Sequence, residues 1–502
     1  MAKRLLNEIK SNLFVYILLF IAVVAGFYLR VYRIDKILGF YYDQGRDALV
    51  IWDLWHKGKL FLVGPTTGIA GIFRGPYYYW LIAPFYLLGQ GNPIWPSVFL
   101  SVTTMLAAVM AYVLGSKINR VTGLFATLIA SFSFNIVMAS RWLSNPTPML
   151  LLSMILVWGM LLVSEGKRWG WSVIAATAGL SLFNFGSAGE VFYFLALFIF
   201  IIWQRKNWPS KKQLIISCVL FTLTFLPLLL FDLKHDGILR NNIGKFLFSE
   251  KSFAAPTWHF VWDKLDFYYQ VFTNKIFNGR YFQEQAIFYV IAAGFFFYLR
   301  DIWKNNLFKI LILLFVSVCF GLVFFQGNFG NIYDYYLTGY YLIFILLFSI
   351  TLGFIWKTKV GKLFVLYFFY LFFVNNYDVL KYKLSDGCNG PNSICLVNQL
   401  QAVDWIYTNA EKKPFNVDVY VPPVIPYAYD YLFLWRPTTP RFRGARSEQV
   451  NQLVPILYTL YEQDPPNPDR LEAWLARQKG IGKVEETARF GGITIERRIR
   501  IK

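Results

Sequence analysis

The chain has 502 residues, of which 56% are hydrophobic, 20% aromatic and only 16% charged. Soluble globular proteins carry roughly 25% charged residues, and disordered chains have low hydrophobicity, so both classes are excluded. The net charge of +20 points to nucleic acid only if the cations do something other than flank apolar segments.

In chain order, the first element is an apolar run near 13–29, long enough to cross a bilayer. It leads into the charged LRVYRIDK without a small-residue cleavage site, so it is expected to be a retained span and not a signal peptide. The loop 30–93 follows. In it Asp43 opens an amphipathic stretch, and Asp43 and Asp47, one turn apart, share a helix face. Ala48, Ile51, Trp52 and Trp55 form an apolar stripe, which suits a helix lying on the membrane surface with Trp at headgroup depth. The segment Gly75 to Gly89 is short and contains Pro84, and reads either as a span or as an interfacial helix.

Further charge-free apolar runs lie near 94–115, 121–139, 147–163, 171–187, 191–203, 213–231, 286–299, 310–325, 337–356 and 363–375. If 75–89 lies flat, one side of the membrane collects Lys3, Arg4 and Lys10, then Lys117/Arg120, Lys167/Arg168, the cluster 205–212, Arg300/Lys304/Lys309 and Lys357/Lys359/Lys362. The short loops of the other side hold only Arg141. The positive-inside rule therefore predicts eleven spans, N-terminus inside and C-terminus outside, and it accounts for much of the +20 without nucleic acid.

The expected domains are a transmembrane part, 1–375, and an extracytoplasmic α/β domain, 376–502. Two large outer loops, 30–93 and 232–285, belong to the first. In the tail, helices are expected near 394–410, 446–462 and 468–478, with strands at NVDVYV and ETARFGGITIERRI, the latter turning at Gly491-Gly492. Cys388 and Cys395 at the tail's start suit a disulfide in an oxidising compartment; the alternative is two free thiols in a cytoplasmic tail.

Asp43, followed by Gln44, the segment RGPYYYWL (Arg74 to Leu81) and ASRWLSNPTP together carry a resemblance. The layout resembles the integral-membrane glycosyltransferases of the GT-C class. Within it, the chain is similar to the lipid A aminoarabinose transferases and the protein O-mannosyltransferases. Asp43 takes that group's first acidic position and Gln44 the second, usually an acid. Arg74 stands in a slot usually filled by His, Gly75 in a Pro slot, and Asn145 where some relatives carry a second Asp. The resemblance implies an α-helical polytopic fold with juxtamembrane helices in the first outer loop. It also implies transfer of a sugar from a polyprenyl-phosphate donor to an acceptor hydroxyl on a lipid, glycan or protein, with inversion, at the outer face of the cytoplasmic membrane.

A hydroxyl is a poor nucleophile at neutral pH, so a positioned carboxylate serves as general base. Asp43 is the candidate, with Asp47 beside it; the bland readings are a helix N-cap and a solvated face. The phosphate leaving group needs cations or other donors, and Arg46, Arg74, Arg141, Lys234 and His235 are expected on the correct side. Tyr78 and Asn145 complete the candidate substrate contacts, with membrane lipid as a further partner. Glu190, at an outer span edge, and the aromatic cluster Tyr333 to Tyr341 are weaker candidates. His56, His235 and His259 could offer ligands to a divalent metal, but no ligand spacing is present, so no metal site is assigned. The alternative reading is a transporter or flippase of lipid-linked envelope precursors. Charge-free spans, the lack of a detectable repeat and acids at the membrane edge argue against it.

Overall fold

A computed structural model describes residues 8–69, 71–249, 252–253, 255–277, 282–325, 332–422, 425–442 and 449–501. Each of the eleven expected spans falls on helix. Among the described residues, seven helices are long and apolar enough to cross a membrane. The helix pair 120–132 and 134–141, bent by 62°, makes an eighth when counted as one broken span. Three shorter apolar helices occupy the remaining positions, 149–164, 170–185 and 189–203. The principal helices are α1 (Leu13–Val31), α2 (Tyr42–Lys57), α3 (Tyr77–Leu88), α4 (Ile94–Gly115), α5 (Arg120–Phe132), α6 (Phe134–Arg141), α7 (Met149–Ser164), α8 (Gly170–Leu180), α9 (Tyr193–Trp203) and α10 (Lys211–Lys234). They continue with α11 (Trp258–Thr273), α12 (Phe282–Ile302), α13 (Asn306–Phe324), α14 (Tyr341–Ile355) and α15 (Lys359–Ser385).

Local chemistry sets several of these ends. Asn119 caps α5 by accepting the Thr122 amide, and Ser133 caps α6 in the same way from Ile136. Ser133 is thus the corner between α5 and α6. α3 has 12 residues, about 18 Å of helix, against a hydrocarbon core of about 30 Å, so it is too short to cross. α15 runs on to Ser385, past the expected boundary at 375.

The tail folds as α16 (Leu396–Asn409), β1 (Asn416–Tyr420), α17 (Tyr427–Trp435), β2 (Ile456–Glu462), α18 (Pro468–Ile481), β3 (Gly482–Phe490) and β4 (Ile493–Arg500). Its sheet has the order β1-β2-β4-β3; β1 pairs parallel to β2 and the other pairs are antiparallel. Gly491, at φ +57°, makes the expected β3–β4 turn. Cys388 and Cys395 are disulfide-bonded.

One tail expectation is corrected: 446–462 is not an amphipathic helix. Its last seven residues are β2, and 446–448 lie outside the described residues. Pro455 resists helix, and ILYTLYE is a central strand buried on both faces, so its apolar residues run on without a period of two. Trp405 of α16 packs on Tyr458, while Trp474 of α18 packs on Tyr420 and Tyr461.

The three pieces expected on one side of the membrane meet at one end of the bundle. Asn242 donates to the Gly71 carbonyl at 3.2 Å, joining the loop 232–285 to the loop 30–93. The tail bonds to the first loop through the Leu396 amide to Leu38 O and Gln399 Nε2 to Phe40 O, both at 2.9 Å. Tyr41 Oη donates to Ile394 O at 2.9 Å. Gly45 of α2 abuts the backbone of Tyr427 and Ala428 so closely that no Cβ fits there. The stripe on α2 is therefore not spread on lipid: Ala48 and Ile51 are buried, and Trp52 meets the edge of Tyr431 in α17. Burial beneath a folded domain and burial in a membrane surface demand the same apolar face, so the pattern alone did not distinguish them.

Candidate active site

The helix α2 starts at Tyr42, with Tyr41 as its N-cap, so Asp43 is not the cap. Gln44 supplies the reason. Its Oε1 accepts the Tyr41 amide at 3.1 Å and its Nε2 donates to Leu143 O at 3.0 Å. A carboxylate there could make the first bond but not the second. Gln44 is buried and anchors the helix start, leaving the acid-base work to its neighbours.

Asp43 and Asp47 share one face as expected but differ in environment. The Asp43 side chain is 57% exposed, whereas that of Asp47 is 6% exposed. Arg46 bridges them: Nη1 reaches Asp43 at 2.9 Å, and Nη2 and Nε reach Asp47 Oδ1 at 2.7 and 2.9 Å. Arg46 Nη1 also donates to Thr66 Oγ1 at 2.8 Å, and Tyr79 Oη donates to Asp47 Oδ1 at 2.9 Å. Burial pushes the Asp47 carboxyl up to about 6, against the pull of Arg46 and Tyr79. Asp43 thus remains accessible while Asp47 fixes the guanidinium beside it.

Arg74 comes from the end of a tight loop whose strands cross-bond: Gly64 N to Arg74 O at 2.7 Å and Arg74 N to Pro65 O at 3.1 Å. Gly75 donates to Phe183 O at 2.7 Å and lies so close to the Asn184 amide that a Cβ would collide with it. That contact explains a glycine in this slot. The Arg74 guanidinium makes no hydrogen bond or ion pair among the described residues. Burial pulls its pKa down, and the nearby Glu190, Tyr335 and Tyr336 pull it back up. Tyr335 is in turn within electrostatic reach of Asp43. Asp43, Arg46, Arg74, Glu190 and Tyr335 therefore border one region.

Glu190 is fully buried and accepts amides from Ser187 at 2.6 Å and Gly339 at 3.1 Å, so it also clips α9's start to the segment 334–340. Lys275, buried, pairs with Asp334 at 2.8 Å and lies over the Tyr341 ring. Lys275 and Thr66 carried no signal in the sequence, because neither belongs to a motif and their partners are distant in the chain.

Five expected site residues are placed elsewhere or otherwise engaged. Arg141 is buried and donates to the Leu29 and Arg30 carbonyls at 2.8 and 3.1 Å, tying α6 to the end of α1. Tyr78 is fully buried, and it is Tyr79 that reaches the acid. Adjacent helical residues point about 100° apart, and here Tyr79 makes the bond to Asp47 while the Tyr78 hydroxyl, still within electrostatic reach of Asp47, is buried without a partner among the described residues. Asn145 donates to Phe185 O at 3.3 Å, a structural tie near Glu190. His235 stacks on Phe231, which touches Phe73 next to Arg74, while Lys234 is exposed and forms no salt bridge among the described residues. Among the described residues no three of His, Cys, Asp and Glu gather as metal ligands.

Residues 74–231 match the family model described as dolichyl-phosphate-mannose-protein mannosyltransferase. No curated protein matches the sequence. The structure is similar to ArnT from Cupriavidus metallidurans bound to undecaprenyl phosphate, with a TM-score of 0.63 and 10% identity over 96% of this chain and 98% of that one. For the same protein in the apo state the TM-score is 0.60 and the identity 11%, covering 97% and 98% of the two chains. The oligosaccharyltransferase of Archaeoglobus fulgidus, in complex with zinc and sulfate, is similar with a TM-score of 0.51 and 12% identity over 93% of this chain and 71% of that one. These are GT-C glycosyltransferases, and the chain has the fold of that class, as its sequence layout implied.

Proposed function

We propose that the protein is a glycosyltransferase of the outer face of the cytoplasmic membrane, taking a sugar from a polyprenyl-phosphate donor. The acceptor is a hydroxyl on a lipid, glycan or protein. The observation that carries this reading is an exposed carboxylate, Asp43, and a guanidinium, Arg74, without a hydrogen bond among the described residues, both within electrostatic reach of Tyr335. The match of residues 74–231 to a lipid-phosphate-sugar transferase family and the likeness to a structure holding undecaprenyl phosphate support it.

In this mechanism Asp43 takes the acceptor's proton as its oxygen bonds to the anomeric carbon. The bond from that carbon to the phosphate oxygen breaks, and the electron pair leaves with the polyprenyl phosphate. A single displacement inverts the anomeric centre. Arg74, with the remaining donor capacity of Arg46, offsets the charge on the leaving phosphate. Asp47 acts through Arg46 and holds it in place.

The test uses purified full-length protein, a panel of polyprenyl-phosphate sugars labelled in the sugar, and membranes of the source cell as acceptor. Label transfer with release of polyprenyl phosphate is expected. Asp43→Asn should lower the rate by about 10²–10⁴-fold with thermal stability unchanged. Full turnover by Asp43→Asn would remove that residue from the chemistry, and no transfer from any donor would overturn the reading.

A further inference from the structure

A second cavity, of about 430 Å³, lies between α2, the end of α3 and the tail helix α17. It is distinct from the Asp43 region. Trp52 is nine residues beyond Asp43, which places it half a revolution around α2 and about 14 Å along it.

Its lining is a mixture of ring faces and uncharged polar groups. Trp52 stacks flat on His56, with ring centres 3.7 Å apart, and Tyr431 lies parallel to Trp435 at 6.3 Å. Gln90, Asn92, Thr438 and Thr439 supply amides and hydroxyls. Among the described residues the lining holds one formal cation, Arg436, which bonds to Asp404 at 2.6 and 2.7 Å and shares that carboxylate with Arg441 at 3.0 Å.

The rim is preformed. Trp435 Nε1 donates to Gln90 O at 2.8 Å, and Tyr431 Oη donates to Gly91 O. These bonds hold Gln90 at φ +50°, in the left-handed region that favours glycine. Its side-chain amide is exposed and makes no hydrogen bond among the described residues. The Tyr86 hydroxyl, in the lining, is buried and has no hydrogen-bond partner among the described residues. A buried hydroxyl left unpaired is costly unless a ligand or water meets it.

We infer that this cavity binds a neutral saccharide, separately from the transfer centre and whatever reaction Asp43 performs. Flat aromatic faces take the C–H face of a sugar ring, and uncharged amides and hydroxyls take its hydroxyls. An acyl chain would leave those polar groups unpaired.

The test is titration of the detergent-purified full-length protein with maltohexaose, cellohexaose, chitohexaose and mannohexaose, read by tryptophan fluorescence and calorimetry. Saturable binding of at least one is expected. Gln90→Gly, which suits the backbone conformation and removes only the amide, should weaken it about tenfold, as should Trp52→Ala. Asp43→Asn should leave it unchanged. The inference is overturned if none of the four binds, if both cavity variants bind as wild type does, or if Asp43→Asn abolishes binding and so places the sugar at the transfer centre.

Discussion

Arg30 and Arg141 lie at the same end of the bundle as Arg46 and Arg74, but the two pairs do opposite work. Arg30 is fully buried and donates to Gly26 O, Ser131 O and Ala130 O at 2.8 to 3.1 Å. Arg141 closes on the carbonyls at the end of α1. Together they satisfy backbone groups left open where α1 ends and α5 bends into α6. Arg46 is paired with two carboxylates, Arg74 has Glu190 near it but makes no hydrogen bond among the described residues, and neither spends its guanidinium on helix ends. Arg30 and Arg141 bond to main-chain carbonyls and serve the fold, although Arg30 Nε and Arg141 Nη2 stay buried without a partner among the described residues; Arg74, with no bond among the described residues, can meet an anion.

Four measurements would sharpen or break that division. The largest effect is expected at Arg74. Arg74→Ala should reduce transfer by about 10²–10³-fold while shifting stability by no more than about 0.5 kcal/mol, because no bond within the described protein is lost. A large drop in melting temperature would instead put Arg74 with the structural pair.

Arg30→Met should do the reverse. Loss of its charge-assisted bonds should cost about 3 kcal/mol in unfolding experiments, with donor affinity in the folded fraction unchanged.

A third effect concerns pH. Ionised Asp47 holds Arg46, and its carboxyl is pushed up to about 6. Transfer should therefore fall as pH drops through about 6. Stability runs the other way. The folded protein keeps a proton on Asp47 that the unfolded chain releases near the ordinary value of 3.8. This group's contribution to stability is thus fullest below about 4 and declines as pH rises to about 6. Tyr79→Phe, which removes a bond that pulls the pKa down, should move the acid limb of the rate profile upward. An unmoved limb would exclude Asp47 as its source.

The smallest effect is expected at His235, whose ring is occupied with Phe231. His235→Ala should change transfer less than about twofold, within the range of surface substitutions. A larger loss would extend the anion-binding surface onto the loop 232–285.

Much of this was legible in the chain itself. Charge-free runs must form helices in a bilayer, because each backbone group has to find its partner within the segment. The spans and the grouping of their loops follow from that. The shared face of Asp43 and Asp47 follows from helical period alone. Local chemistry also indicated the disulfide and the turn at Gly491.

What could not be read locally was everything that depends on which distant groups meet. Arg141 and Arg74 are both arginines at expected span edges. Only packing decided that Arg141 finds the carbonyls of α1 while Arg74 has no hydrogen bond among the described residues. Tyr78 and Tyr79 are the same residue type side by side, and only the direction of α3 against α2 chose the one that reaches Asp47. The apolar face of α2 was certain from its spacing, but its cover was not, because the hydrophobic effect rewards removal of area from water whatever removes it. The tertiary structure supplied that cover as α17 of the tail. In doing so it created the second cavity, whose walls are drawn from segments more than three hundred residues apart.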